Sequence, residues 1–180
     1  MKPRVTAERL RELLDYAPET GLFYWRKRRG SAGAGREAGS WQSRGYRVIA
    51  VDRVVYYAHR LAWQYVHGEY PSGEIDHING DRTDDRIMNL RQCSRRENAR
   101  NIRTRNLWGF KGVFRSSARK WCAQIAVNGS RINLGSYDSP EKAAAAYDAA
   151  ARLHYGEFAR TNAGSATERA CHNLAVVPRR

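Results

Sequence analysis

The chain has 180 residues, with 32 Lys or Arg against 18 Asp or Glu and a formal charge of +14. That length allows one medium domain or two small ones, and no apolar run reaches the roughly 18 residues that span a bilayer, so the expectation is a soluble protein without a membrane partner. Cys93, Cys122 and Cys171 form no C-x-x-C pair, which argues against a disulfide framework and structural zinc and fits a reducing cytoplasm.

Residues 7 to 16, AERLRELLDY, set Leu10, Leu13, Leu14 and Tyr16 along one face and predict a short amphipathic helix, which PETG ends. The N-terminus carries no secretory signal pattern. FYWRKRRGSAGAGREAGS reads as a strand and then a Gly-, Ala- and Ser-rich loop, closing an N-terminal segment at 1–43. GYRVIAVDRVVYYAHRLAWQYV predicts a hairpin turning at Asp52 and Arg53 and passing into a helix over 58–67, with Trp63 and Tyr65 as packing residues. EIDHI is a short strand, NGDRTDD is turn chemistry and NLRQC is a second strand. Ser94 and Glu97 then make a capping box that opens a helix through RRENARNIR.

The pattern from 44 to 105 is therefore strand, loop, strand, helix, and a second unit follows over 106–162. There GFKGVFRSS and KWCAQIAV are strands, and Asn128-Gly129 is a two-residue turn that sets Ile125 opposite Ile132 and Gln124 opposite Asn133. Ser139 and Pro140 start a helix running through EKAAAAYDAAARLHYG, with Tyr147 in the core, and 163–180 is a polar tail. The fold class is α+β, ending in a small three-stranded antiparallel sheet packed on one helix.

So large an excess of base draws a polyanion, nucleic acid first. Against that background, residues 61 to 85 hold six acids and one base, Arg82, whereas 86 to 120 hold eleven bases and one acid, Glu97. Oxygen ligands beside a basic tract suit a divalent cation held near phosphates. His77 fits a general base, Asp76 and the amide of Asn98 fit a hard cation, and Asn89 fits an acceptor for the other ring N–H of His77. Neighbours on a regular strand point to opposite faces, so Asp76 and His77 share a site only at a strand end or bulge. Asp81, Asp84 and Asp85 read as turn and loop residues. His59 either touches phosphate or packs structurally, and Asn101 either supports the site or contacts DNA, or else lies on solvated helix surface.

Arg95, Arg96, Arg100, Arg103, Arg105 and Lys111 are candidate phosphate contacts. Arg131, Asn133 and Gln124, with Arg115, Arg119 and Lys120, are candidates for reading a duplex from the sheet, because arginine and amide side chains on a β-ribbon suit the major groove.

Residues 59 to 101, above all EIDHINGD, NLR and SRRENARN, resemble the H-N-H endonucleases of phages and mobile introns, members of the ββα-metal nuclease superfamily. The resemblance implies a ββα-metal module, His77 as general base with Asn89 orienting it, and one divalent ion on Asp76 and Asn98. Asn98 stands where many of these enzymes have a final histidine, which points to Mg2+ or Mn2+ rather than tightly bound zinc. Residues 109 to 162 resemble the Apetala/ethylene-response-factor type of DNA-binding domain through KGV, KWCAQI and LGSYDSPEKAAAAYDAAARLHYGEFARTN. Arg131 matches a DNA-contacting arginine of that type, whereas Phe114, Ser116, Ala118 and Ala126 depart from it, so DNA binding carries over and the plant target does not.

The expectation is a metal-dependent endonuclease on double-stranded DNA, hydrolysing phosphodiesters to 5′-phosphate and 3′-hydroxyl ends and working in the cytoplasm of a bacterial host as a phage or prophage protein. One site per chain favours a monomer that nicks, and a dimer remains compatible. The alternative is a DNA-binding regulator on an inactive nuclease fold.

Overall fold

The computed structural model describes residues 5–28, 33–102, 108–117 and 119–163, and the chain divides into two compact units, Met1–Asn98 and Ala99–Arg180. In the first, α1 (Ala7–Leu13) begins where the Thr6 hydroxyl accepts the Arg9 N–H at 3.2 Å. It ends three residues before the expected limit. From Leu14 the apolar period changes to two, so that Leu14–Ala17 (β1) alternates inward and outward and pairs antiparallel with Leu22–Trp25 (β2). Gly21, at φ +74°, closes the turn, and a Cβ there would stand 2.5 Å from backbone atoms of Asp85 and Arg86. Glycine thus lets this hairpin press against the loop that carries Asp85.

Ser40–Trp41 (β3), Arg47–Val51 (β4) and Val54–Tyr57 (β5) form a sheet in that order, turning at Asp52 and Arg53 with φ of 47° and 65°. α2 (Ala58–His67) follows at once over the predicted range and stops at Gly68 in the left-handed region. Glu74–His77 (β6) and Leu90–Cys93 (β7) pair antiparallel, with Asp76 opposite Arg91 and His77 opposite Leu90. Asn89 ends a 3-10 turn, Ile87–Asn89, that leads into β7, so it precedes the second strand rather than starting it. α3 (Arg95–Arg100) opens on the expected capping box: the Glu97 N–H donates to Ser94 Oγ at 3.3 Å and the Ser94 N–H to Glu97 Oε2 at 2.8 Å.

The segment 1–43 is not a separate piece of this unit. Leu10, Leu14, Tyr16, Phe23 and Trp25 share one core with Ile49, Val51, Leu61, Ile75 and Leu90, and each large apolar side chain buried there contributes about 1.5–3 kcal/mol. Burial, not glycine content, defines the unit, and these N-terminal side chains belong to it.

In the second unit, Val113–Ser117 (β8), Lys120–Val127 (β9) and Ser130–Tyr137 (β10) form a sheet ordered β10-β9-β8. Asn128 and Gly129, at φ 51° and 88°, make the turn, and Ile125 pairs with Ile132 and Gln124 with Asn133 as expected. α4 (Pro140–Tyr155) is capped by Ser139, whose hydroxyl accepts the Lys142 N–H at 3.2 Å. Ala143, Ala144, Tyr147 and Ala151 bury its inner face with Val113, Ala123 and Ile125. Asp148, also buried, accepts the Asn162 and Ala163 N–H groups at 2.7 and 2.9 Å and ties the end of this unit to the helix. Among the described residues no helix is long and apolar enough to cross a membrane.

Candidate active site

β6 pairs without a register shift, so Glu74 and Asp76 face one side and Ile75 and His77 the other. On its side His77 is 4% exposed, and its Nε2 lies 3.0 Å from Asp85 Oδ1. Asp85 is 3% exposed and is held from behind by Tyr16, whose hydroxyl donates to the Asp85 carbonyl at 2.8 Å. Burial raises the pKa of Asp85, opposed by the hydrogen bond from His77 and by the charges of His77 and Arg47.

His59, in the first turn of α2, presents its ring to that of His77 edge-on, with centroids 5.1 Å apart. Burial, and then the nearby His77 and Arg60, push its pKa down to about 3, so it is neutral near pH 7. Its Nδ1 is buried and has no hydrogen-bond partner among the described residues. His59, His77 and Asp85 each offer one ligand atom, all within 4.8 Å of one another, so this group could hold a metal ion. Tyr46 covers both imidazoles, at 5.4 Å from His59 and 6.1 Å from His77, and carries the Arg82 guanidinium 5.0 Å from its own ring.

The other side of β6 holds the two residues expected to share a cation, and it gives them different partners. Asp76 Oδ2 accepts from Arg91 Nε at 3.0 Å and Nη2 at 2.7 Å, as their register dictates. Asn98 Nδ2 donates to Glu74 Oε2 at 2.6 Å. Because the strand is regular, Asp76 points away from His77, and the His and Asp side chains gathered into one cluster are His59, His77 and Asp85. Asn89 also departs from its expected role. Its Oδ1 accepts the Asn79 N–H at 3.0 Å, while its Nδ2 donates to Asn79 Oδ1 at 3.1 Å and the Asp84 carbonyl at 2.8 Å. It braces the loop before Asp85, and Asp85 is the group that meets His77 Nε2. A cleft of about 570 Å³, lined by Tyr46, Tyr57, His59, Arg60, Glu74 and Asn98 among others, touches both groupings.

The basic candidates divide. Arg95 and Arg96 are exposed on α3, as are Arg119 and Lys120 at the β8–β9 turn; Arg103 and Arg105, like Ala118, lie outside the described residues. Arg100 lies over the Tyr155 ring at 4.7 Å. Lys111 is not a surface cation: its ammonium donates to the Arg100 carbonyl and, at 3.0 Å, to that of Ile102, and burial pushes its pKa down to about 8. Arg115 pairs with Trp121 across the sheet and stacks on it at 5.8 Å, on the side turned toward α4. Gln124, Arg131 and Asn133 do share the outer face, since Ala123 and Ile125 between them turn to the helix. Asn101 is buried at 6% exposure in the second unit, because α3 ends one residue before it.

Asp85, Glu74, Tyr46 and Arg91 were not among the candidates. Counting the β6–β7 register would have found Arg91 opposite Asp76. Nothing local distinguishes Asp85 from Asp84, which faces outward to Arg86 and Asn79.

Residues 56–100 match the HNH endonuclease family. Over 106 residues the chain is 36% identical to Protein 3.8 of Escherichia phage T7, covering 57% of this chain and 87% of that one. This chain belongs to the HNH endonuclease family. Its C-terminal region is similar to ethylene-responsive transcription factor ERF015 of Arabidopsis thaliana, 54% identical over 50 residues and 27% of each chain. It also resembles dehydration-responsive element-binding protein 2A of the same plant, 44% identical over 55 residues, 29% of this chain and 16% of that one. The likeness spans under a third of either plant protein.

Proposed function

We propose that this HNH-family chain is a metal-dependent endonuclease that hydrolyses phosphodiester bonds of double-stranded DNA, the first unit cutting and the second holding the duplex. The observation that carries the reading is the buried His77–Asp85 pair, 3.0 Å apart, inside the segment that matches the family. With Asp85 ionised, His77 carries its proton on Nε2 and its basic lone pair on Nδ1, from which it takes the proton of an attacking water. Asp76 and Asn98, joined by Glu74, are oxygen donors of the hard kind that suit Mg2+ or Mn2+. Such a cation, when bound, supplies stabilisation of the charge that develops on the phosphate and the leaving 3′ oxygen. Arg91 neutralises Asp76 meanwhile.

Arg95 and Arg96, with Arg100, Arg103 and Arg105, provide phosphate contacts. Gln124, Arg131 and Asn133 on the outer sheet face read the major groove, which agrees with the names of the plant relatives. The chain acts as a monomer that nicks one strand at a time, in the cytoplasm of a bacterial host. The ion pair between Asp76 and Arg91 favours a second reading, a DNA-binding protein that no longer cuts.

Supercoiled plasmid separates the two. Incubation with Mg2+ or Mn2+ is expected to give nicked circles and incubation with EDTA none; protein that retards the plasmid on a gel yet leaves it supercoiled in both metals sinks the nuclease reading. Arg131→Ala is expected to weaken binding to a preferred site by about 1–3 kcal/mol and relax preference there, whereas Arg95→Ala lowers affinity on all sequences and reduces the salt slope by about one. Titrations at several salt concentrations check both, and identical effects of the two variants would remove the division of labour.

A further inference from the structure

We propose that His59, His77 and Asp85 form a binding site for a zinc-class divalent ion, distinct from the oxygen donors Asp76 and Asn98, and that its occupancy switches His77 off as a base.

The donor set decides the class of ion. Two imidazoles and one carboxylate suit Zn2+, Co2+ or Ni2+, whereas Mg2+ calls for oxygen donors and retained waters. Three protein ligands with a fourth position left for water is the composition of open zinc sites. The geometry is close to what such an ion needs. Ligand atoms about 2.0–2.1 Å from a tetrahedral zinc stand about 3.3 Å from one another; here His77 Nε2 and Asp85 Oδ1 are 3.0 Å apart and the whole set lies within 4.8 Å. All three side chains are buried, which excludes competing water. His59 Nδ1 adds a second observation: it is a polar atom, in a residue 6% exposed, with no hydrogen-bond partner among the described residues, and a buried group in that state is destabilising until it finds a partner. His59 also lines the cleft, which gives an ion its way in.

The switch follows from the tautomer. A metal bound at His77 Nε2 takes the lone pair of that nitrogen, so the single N–H proton of the neutral imidazole moves from Nε2 to Nδ1, where no lone pair is left for water. This consequence rests on the nuclease reading above; the binding does not.

The test uses the full chain freed of metal by chelation. Titration with Zn2+ by calorimetry is expected to give one site per chain, and Co2+ to give the intense visible bands of low-coordinate cobalt. Zn2+ should raise the melting temperature by mass action. Asp85→Asn, which keeps the side-chain shape, and His59→Gln should each weaken binding by about 100-fold or more, whereas Asp76→Asn and Asn98→Ala should not. Melting curves in EDTA establish that each variant is folded; if His59→Gln is not, the Asp85→Asn and Asp76→Asn comparison decides alone. Absence of the cobalt bands and of any melting shift overturns the site, as does binding lost with Asp76→Asn but kept with Asp85→Asn. In plasmid nicking with excess Mg2+, one equivalent of Zn2+ is expected to stop the wild-type chain. Unchanged nicking by zinc-loaded protein overturns the switch, and a chain that never nicks fails the nuclease reading while leaving the binding result to judge the site.

Discussion

Asp85→Asn is expected to slow plasmid nicking by about 10²–10⁴-fold, as much as His77→Ala, which removes the proposed base itself. A carboxylate beside Nε2 accepts its proton and leaves Nδ1 basic. An amide can instead donate to Nε2, and the ring proton then moves to Nδ1, where the lone pair was needed; in serine proteases the same replacement behind a catalytic histidine costs about 10⁴. The two side chains are 3.0 Å apart and almost wholly buried, so water does not replace the lost acceptor. Both variants should bind DNA within about twofold of wild type, because phosphate contacts supply most of the affinity. Single-turnover nicking and gel shifts on the same preparations check this. Nicking by Asp85→Asn within about fivefold of wild type would return the orienting role to another group, and Asn89→Ala is the variant to measure next.

Gly112→Ala is expected to destabilise the second unit by about 2–5 kcal/mol. Gly112 sits at φ +72°, where a side chain costs about 1–2 kcal/mol. Its Cβ would also stand 2.0 and 2.3 Å from the ring of Tyr147 and 2.7 Å from the Gln124 carbonyl. Tyr147 is 3% exposed on the inner face of α4 and cannot swing into water, so overpacking adds about 1–3 kcal/mol. Gly129→Ala separates the two contributions. It has φ +88° but nothing within 4 Å of an added Cβ, so it bears only the backbone cost. Urea melts of both variants should differ by the packing contribution; equal midpoints would mean that Tyr147 yields.

Much of the frame was legible in the residues. The capping box at Ser94 and Glu97, the turns at Asp52-Arg53 and Asn128-Gly129, and the helix from Ala58 to His67 all depend on contacts within a few positions, and the structure keeps each of them. The pairing of Gln124 with Asn133 followed from turn length alone. α1 ran short because Leu10, Leu13 and Leu14 satisfy a helical face while Leu14 and Tyr16 also satisfy a strand, and pairing with β2 chose between them.

The site was legible only in its members that lie on regular elements. His77 was readable as a polar residue on a short strand, and the expectation that neighbours on a regular strand point to opposite faces holds for Asp76 and His77 in β6. Asp85 was not readable, since two adjacent acids in a turn look alike until one is turned inward. What surrounds it comes from other elements: Tyr16 holds its carbonyl, Gly21 admits the hairpin against its backbone, and His77 meets its carboxylate. The sequence by itself determined the tight turns, the capping box, the helix from Ala58 to His67 and the charge pattern, because those rest on local spacing and composition. Only the tertiary structure decided which acid lies against His77 and which lysine is no surface cation, because burial and partners at long range set the surroundings of an ionisable side chain.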